Sequence, residues 1–262
     1  MIKRRQITGI VTEEASHAFK EYGIECNPGV YYVSSGLHID DDLLFNTIRP
    51  IIGKYNLHIY DSVYFSNSEI LSSDYCVLTW LGSACGYPKP DSNFGYINLT
   101  YDISHYCPNC GNGLVQKAPF RIGKIPNKKL SGIGWVYDEI FVQKDAYDEF
   151  FKPFGISFWN TIRAKQGVLD NLVQLKIPVT EELLDMTDTE YTICKRCGKK
   201  KYSPKIKDFL VKHKNPVAPL FKGAENYGSG HSSHRFIYIN AEVRDILLKN
   251  KLIHINNLIP CR

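Results

Sequence analysis

The chain predicts an α+β protein with an acidic, mixed N-terminal portion over residues 1–104 and a cysteine-rich portion over 105–262. Three observations carry that expectation. Two CxxCG turns, Cys107–Gly111 and Cys194–Gly198, stand 87 residues apart. Stretches of strand-like and helix-like periodicity surround them. Charge is also divided along the chain: residues 1–106 carry net −5, 107–193 net −1, and 194–262 net +11. With 262 residues and 44% hydrophobic content, there is enough apolar chain to bury a core without help, so wholesale disorder is excluded. No apolar run reaches the roughly 20 residues of a membrane span. The opening MIKRRQITGIVTEEASHAF lacks a leader-like apolar stretch, which predicts a cytoplasmic protein with no membrane partner.

The N-terminal elements follow in order. Residues 12–22 read as a helix, with Thr12 at the N-cap and Glu13 and Glu14 in the first turn, where the helix dipole favours acids. Val30–Val33 reads as a short strand. Asp40–Asp42 looks like an acidic metal cluster, but it directly precedes LLFNTIRPII. Capping a helix that stops near Pro50 explains it more simply. Leu57–Phe65 predicts a strand, Ser66–Ser73 a helical turn, and Tyr75–Leu81 a continuously apolar strand. Gly86–Phe94, with Pro88, Pro90 and Asp91, is a loop. Tyr96–Tyr101 then reads as a strand leading into the first cysteine turn.

In the second portion a shift of 97 residues aligns Ile140–Ile162 with Ile237–Ile259 without a gap. Each stretch reads as strand, short helix and strand. Positions 146, 150 and 154, or 243 and 247, lie on one helical face. The closing strands alternate through Ile156, Phe158 and Ile162, or Ile253, Ile255 and Ile259, and Gly155 suits the intervening turn. Both follow a CxxCG turn, so 107–162 and 194–259 read as an internal repeat of knuckle plus β-α-β.

The chemistry lies in the cysteines. Two thiolates separated by two residues share one ion from a tight turn, and the following Gly adopts angles that a Cβ resists. One such pair in a reducing compartment suits a redox couple; two pairs point to a four-cysteine site of Cys107, Cys110, Cys194 and Cys197. Zinc is the expected ion, and iron uses the same ligands. Four thiolates leave no open position, so the metal is structural. Cys26, Cys76, Cys85 and Cys261 lack paired spacing and read as small core hydrophobes. His231 and His234 form HxxH, but Gly228, Gly230 and the serines between them predict a surface loop rather than a second metal site. His105, two residues before the first pair, could shield the sulfurs.

Taken together, these elements resemble the double-CXXCG motif proteins. The likeness rests on CPxCG at Cys107–Gly111, Trp135-x-x-x-Glu139-x-x-Val142 within Gly134–Gly155, CxxCG at Cys194–Gly198, and a strand-helix-strand ending over Phe236–Cys261. It covers roughly residues 105–262. The family includes myxobacterial immunity proteins that neutralise toxins delivered to sister cells. The resemblance implies a zinc-ribbon-like, metal-linked scaffold that binds a protein partner, with a toxin among the partners to consider. It brings no catalytic residues.

No GxSxG, Walker loop, GxGxxG before a helix, HExxH or EF-hand pattern occurs. The leading expectation is therefore a protein-interaction module of the immunity or antitoxin kind. The alternative is nucleic-acid binding through Lys195, Arg196, Lys199, Lys200, Lys201, Lys205 and Lys207, a basic cluster that suits phosphates or an acidic protein surface. An enzyme using Asp102, His105, His231 or His234 is a third reading, with no grouped acid and base to support it.

Overall fold

A computed structural model describes residues 1–29, 37–165 and 167–262. The strand expected over Val30–Val33 lies outside the described residues. The chain divides into two compact units, Met1–Glu69 with Ile206–Asp208, and Ile70–Lys205 with Phe209–Arg262. That cut falls earlier than residue 104, because residues 75–78 pair with strands near the C-terminus.

In the first unit, β1 (Ile2–Thr8) lies between β2 (Leu37–Ile39) and β3 (His58–Tyr64), with both pairings antiparallel. Helices α1 (Glu13–Lys20) and α2 (Asp42–Lys54) complete its core, which packs Ile7, Phe19, Ile39, Phe45, Ile48 and Ile52. Both expected caps form. Thr12 Oγ1 accepts the Ala15 N–H at 3.1 Å, and Asp41 Oδ1 accepts those of Leu43 and Leu44 at 2.8 and 3.1 Å. Helix α2 does not stop at Pro50, however; it runs four residues further, to Lys54. Pro50 and Asn46, whose carbonyl loses its helical donor, are both exposed, so that carbonyl is open to solvent while buried Ile48 and Ile52 hold the helix in place.

The second unit opens with α3 (Asn67–Ser72), which crosses the boundary, and β4 (Tyr75–Leu78). Residues 96–100 form a helix, α4 (Tyr96–Thr100), where a strand is expected. Tyr96 and Thr100 are both buried at i, i+4, so the helical period wins over an equally permitted alternation. Two short ribbons follow: β5 (Tyr101–Asp102) with β6 (Val115–Gln116), and β12 (Tyr191–Ile193) with β13 (Lys200–Tyr202). Between them in sequence lie β7 (Arg121–Ile122), β8 (Leu130–Ile133), β9 (Val136–Gln143), α5 (Lys144–Phe150), β10 (Ser157–Arg163) and β11 (Val168–Lys176). These strands make a sheet of order β7-β10-β11-β9-β8. The chain ends with β14 (Leu220–Lys222), β15 (Ile237–Asn240), α6 (Ala241–Lys249) and β16 (Leu258–Pro260), in a sheet of order β14-β15-β4-β16.

The two aligned stretches run in parallel through strand and helix. Helix α5 begins at Lys144 and α6 at Ala241, 97 residues on, with Ala146 and Phe150 buried in one and Val243 and Leu247 in the other. They then part. Strand β10 starts soon after Gly155, which is left-handed as a turn requires (φ 71°). In the C-terminal stretch Ile253 and Ile255 precede the closing strand instead of belonging to it. There the His254 N–H donates to Asn257 Oδ1 at 2.9 Å, and Ile255–Asn257 forms a 3-10 turn before β16.

Candidate metal centre

Each CxxCG turn closes one of the two ribbons, and the two turns share a hydrogen-bond pattern. In the first, the Cys107 N–H donates to Asn112 O at 2.9 Å and the Gly111 N–H to Cys107 O at 2.8 Å. In the second, the Cys194 N–H donates to Lys199 O at 3.0 Å and the Gly198 N–H to Cys194 O at 2.8 Å. Both glycines are left-handed, at φ 79° and 71°. Gly111 has a further constraint, since a Cβ there would lie 2.3 Å from His231 O.

These turns bring the four expected sulfurs together. All four lie within 4.8 Å of one another, with Cys107 to Cys194 at 3.8 Å and Cys110 to Cys197 at 3.6 Å. Tetrahedral bonds of about 2.3 Å from sulfur to metal give an edge of about 3.8 Å, which these two separations match. The cluster is graded in exposure: Cys107 and Cys110 are buried, Cys194 is half-buried and Cys197 exposed. Its thiols also differ in acidity. The backbone N–H groups of Cys197 and Arg196 stabilise the Cys194 thiolate and lower its pKa to about 6, whereas burial pushes Cys110 up to about 12. A cation would remove the obstacle to ionising Cys110. All eight cysteines are unbridged, and of the other four Cys76, Cys85 and Cys261 are buried while Cys26 is half-buried.

The loop containing HxxH supports the first turn through contacts that the sequence did not disclose. His231 Nδ1 lies 2.6 Å from Pro108 O, and the Ser233 hydroxyl donates to buried Asn112 Oδ1. The Tyr202 N–H donates to Asn226 O at 2.8 Å, tying the second ribbon to the same loop. Neither histidine joins the sulfur cluster. Gly228 is the sequence signal for the folding of this loop, since a Cβ there would lie 2.4 Å from Ser232 O. His105 is exposed; its carbonyl would lie 1.9 Å from a Cβ on Gly113.

Of the basic residues, Lys195, Arg196, Lys199 and Lys200 are exposed on the second turn and its ribbon, and Lys205 and Lys207 are exposed in the segment that follows. Lys201 differs. It is 4% exposed, and its ammonium donates to Cys110 O at 2.8 Å, Gly230 O at 2.5 Å and Ser232 O at 3.0 Å. Its three donors are used inside the protein, so it offers none to a phosphate, which is a correction to its place in the basic cluster.

Among the described residues no helix is long and apolar enough to cross a membrane. Fold and site together describe a mixed α/β protein with a four-cysteine cluster able to hold a metal ion. Compared with protein-family models, curated proteins and solved structures, the chain matches none.

Proposed function

We propose that this is a structural-zinc protein that acts as a protein-interaction module, in which a zinc-ribbon-like pair of knuckles stiffens a surface for a partner. The observation that carries the reading is the closed sulfur cluster joining two ribbons 87 residues apart in sequence. It leaves no ligand position for substrate, and thiolate ligands of this number suit zinc, or iron, as a clamp. The matching strand-helix starts at residues 144 and 241 support an origin by duplication. Lys195, Arg196, Lys199 and Lys200 are exposed on the turn and ribbon that carry Cys194 and Cys197, and they suit a partner with an acidic face. The order of motifs supports an immunity or antitoxin-like role, with the partner a toxin.

The test is coexpression with the product of the adjacent gene, scored for growth and for a complex on gel filtration. The expected result is restored growth and a complex that is lost when Lys195, Arg196, Lys199 and Lys200 are changed to Glu. No complex and no rescue would remove the immunity reading. The same exposed cations favour nucleic acid as a second reading. Binding of that kind falls steeply with salt, so undetectable affinity for random DNA and RNA at low salt would eliminate it.

A further inference from the structure

The geometry points to a second site in the C-terminal unit: a cavity that takes a small planar molecule bearing a single carboxylate or phosphate group. The cavity has a volume of about 510 Å³, within the roughly 300–1,000 Å³ range of small-molecule sites. Its charged lining comes from Asp138, Glu139, Lys176, Lys222 and Arg235. These residues are dispersed in sequence, and β9, β11, β14 and the approach to β15 bring them together.

The carboxylates are already satisfied within the protein. Glu139 Oε1 accepts from Lys222 Nζ at 2.6 Å and Oε2 from Gln174 Nε2 at 2.7 Å. Asp138 Oδ2 accepts the Arg235 backbone N–H at 3.1 Å and lies 3.8 Å from Lys222 Nζ. Burial opposes charge on Lys222, but Asp138 and Glu139 outweigh it and hold the ammonium protonated. The cations are not balanced in the same way. Among the described residues neither Arg235 nor Lys176 joins an ion pair, and Arg235 Nε and His234 Nδ1 are buried without a hydrogen-bond partner. Arg235 and Lys176 are thus cations of the lining with no carboxylate partner, and the five charged side chains around the cavity sum to net +1. A cationic ligand would meet carboxylates already engaged by Lys222, Gln174 and the Arg235 N–H, whereas an anion would meet the two unpaired cations.

The walls supply the preference for a ring. Lys176 Nζ lies over the Trp159 ring, 4.1 Å from its centre, so the indole holds that cation in place on the lining. Trp135, also on the lining, is 52% exposed and holds φ at 66°, a rare backbone conformation for so bulky a residue. It is fixed there by Tyr87, stacked at 5.9 Å, by Phe94 edge-on at 6.1 Å, and by the Gly134 N–H, which donates to Gly86 O at 2.6 Å. An exposed indole held rigidly at a cavity mouth is prepared to receive another flat face.

Tryptophan fluorescence of the full chain, titrated with adenosine monophosphate and with benzoate, tests the site. Adenosine and benzamide serve as the uncharged counterparts and inorganic phosphate as the ringless one. Saturable quenching by one anionic ring compound is expected, with its uncharged counterpart at least tenfold weaker. Response to the nucleotide alone assigns a phosphate ligand, and response to benzoate alone a carboxylate. Arg235→Gln should weaken the anionic probe at least tenfold and leave the uncharged one unchanged. Lys176→Gln, at an exposed position, gives the same test if the first variant fails to fold. The proposal is overturned by no saturable response to any probe, by equal affinity for charged and uncharged rings, by inorganic phosphate binding as tightly as the nucleotide, or by unchanged affinity in the folded variants.

Discussion

Lysine 201 shows how one residue can change meaning between sequence and structure. It sits in a run of cations, yet its ammonium is enclosed by the carbonyls of Cys110, Gly230 and Ser232. Lys201→Met keeps the stem and strands three acceptors. The expected loss is about 2–4 kcal/mol in urea denaturation, against about 0.5 kcal/mol or less for exposed Lys195→Met. Equal effects would mean the buried ammonium is not holding the turn and the loop together. His234, on the same loop, yields a prediction in pH. Burial lowers its pKa below the ordinary 6.5, and Lys201 adds to this while Asp138 opposes it. The rings of Tyr137, Tyr227 and Phe236 also face it. The unfolded chain therefore takes up the proton first. Stability from the neutral ring is complete above about pH 6.5 and declines as pH falls through that value toward the folded pKa. Urea midpoints between pH 7.5 and 5 should fall, and His234→Gln should flatten that slope; a slope unchanged in the variant would contradict the assignment.

The two cysteine turns, alike in hydrogen bonding, differ in what surrounds their glycines. Gly198→Ala meets no atom within 4 Å and carries only the left-handed backbone, a penalty of about 1–2 kcal/mol. Gly111→Ala also drives a Cβ to 2.3 Å from His231 O and must displace the supporting loop. Chelator competition should show a metal affinity at least tenfold lower for Gly111→Ala than for Gly198→Ala; equal affinities would show that the loop is not needed to set the first turn. What was legible in the sequence divides along the same line between local and distant causes. The caps at Thr12 and Asp41 and the two CxxCG turns are made by residues within five positions of one another, so spacing discloses them. Tyr96–Thr100 is too short for either period to exclude the other, and burial at positions 96 and 100 decided it. The run through Ile253 and Ile255 alternates like a strand, yet the bond from the His254 N–H to Asn257 turns it first. Strand β4 between β15 and β16 is a pairing across most of the chain, which no local pattern carries. The cavity's charged residues were hidden for the same reason.

At the scale of the molecule, each compact unit has its own core, and the sulfur cluster belongs to only one of them. The apolar cluster around Ile7, Phe19, Phe45 and Ile48 lies wholly within residues 1–69. The clusters around Phe120, Ile133, Phe141 and Leu172, and around Val77, Phe221 and Tyr238, lie wholly in the second unit with the four cysteines. The ribbons that carry those cysteines are short: β5 and β6 have two residues each, and β12 and β13 three. Two-stranded ribbons of this length are not stable alone, so an ion shared between them would supply folding free energy directly. Purified protein should therefore contain zinc or iron. Removing the ion, or any one ligand as in Cys110→Ser, should destabilise the second unit by several kcal/mol, a part of the roughly 10–16 kcal/mol with which structural zinc binds. Hydrogen exchange provides the spatial readout. After chelation, amides of residues 107–112 and 191–202 should lose protection first, while those pairing β1 with β3 keep theirs. The structural-metal reading fails if the protein contains neither metal and Cys110→Ser unfolds at the same urea concentration as the parent. Loss of protection in both units together would instead show that the first unit's core depends on the clamp, contrary to the separation of their apolar clusters.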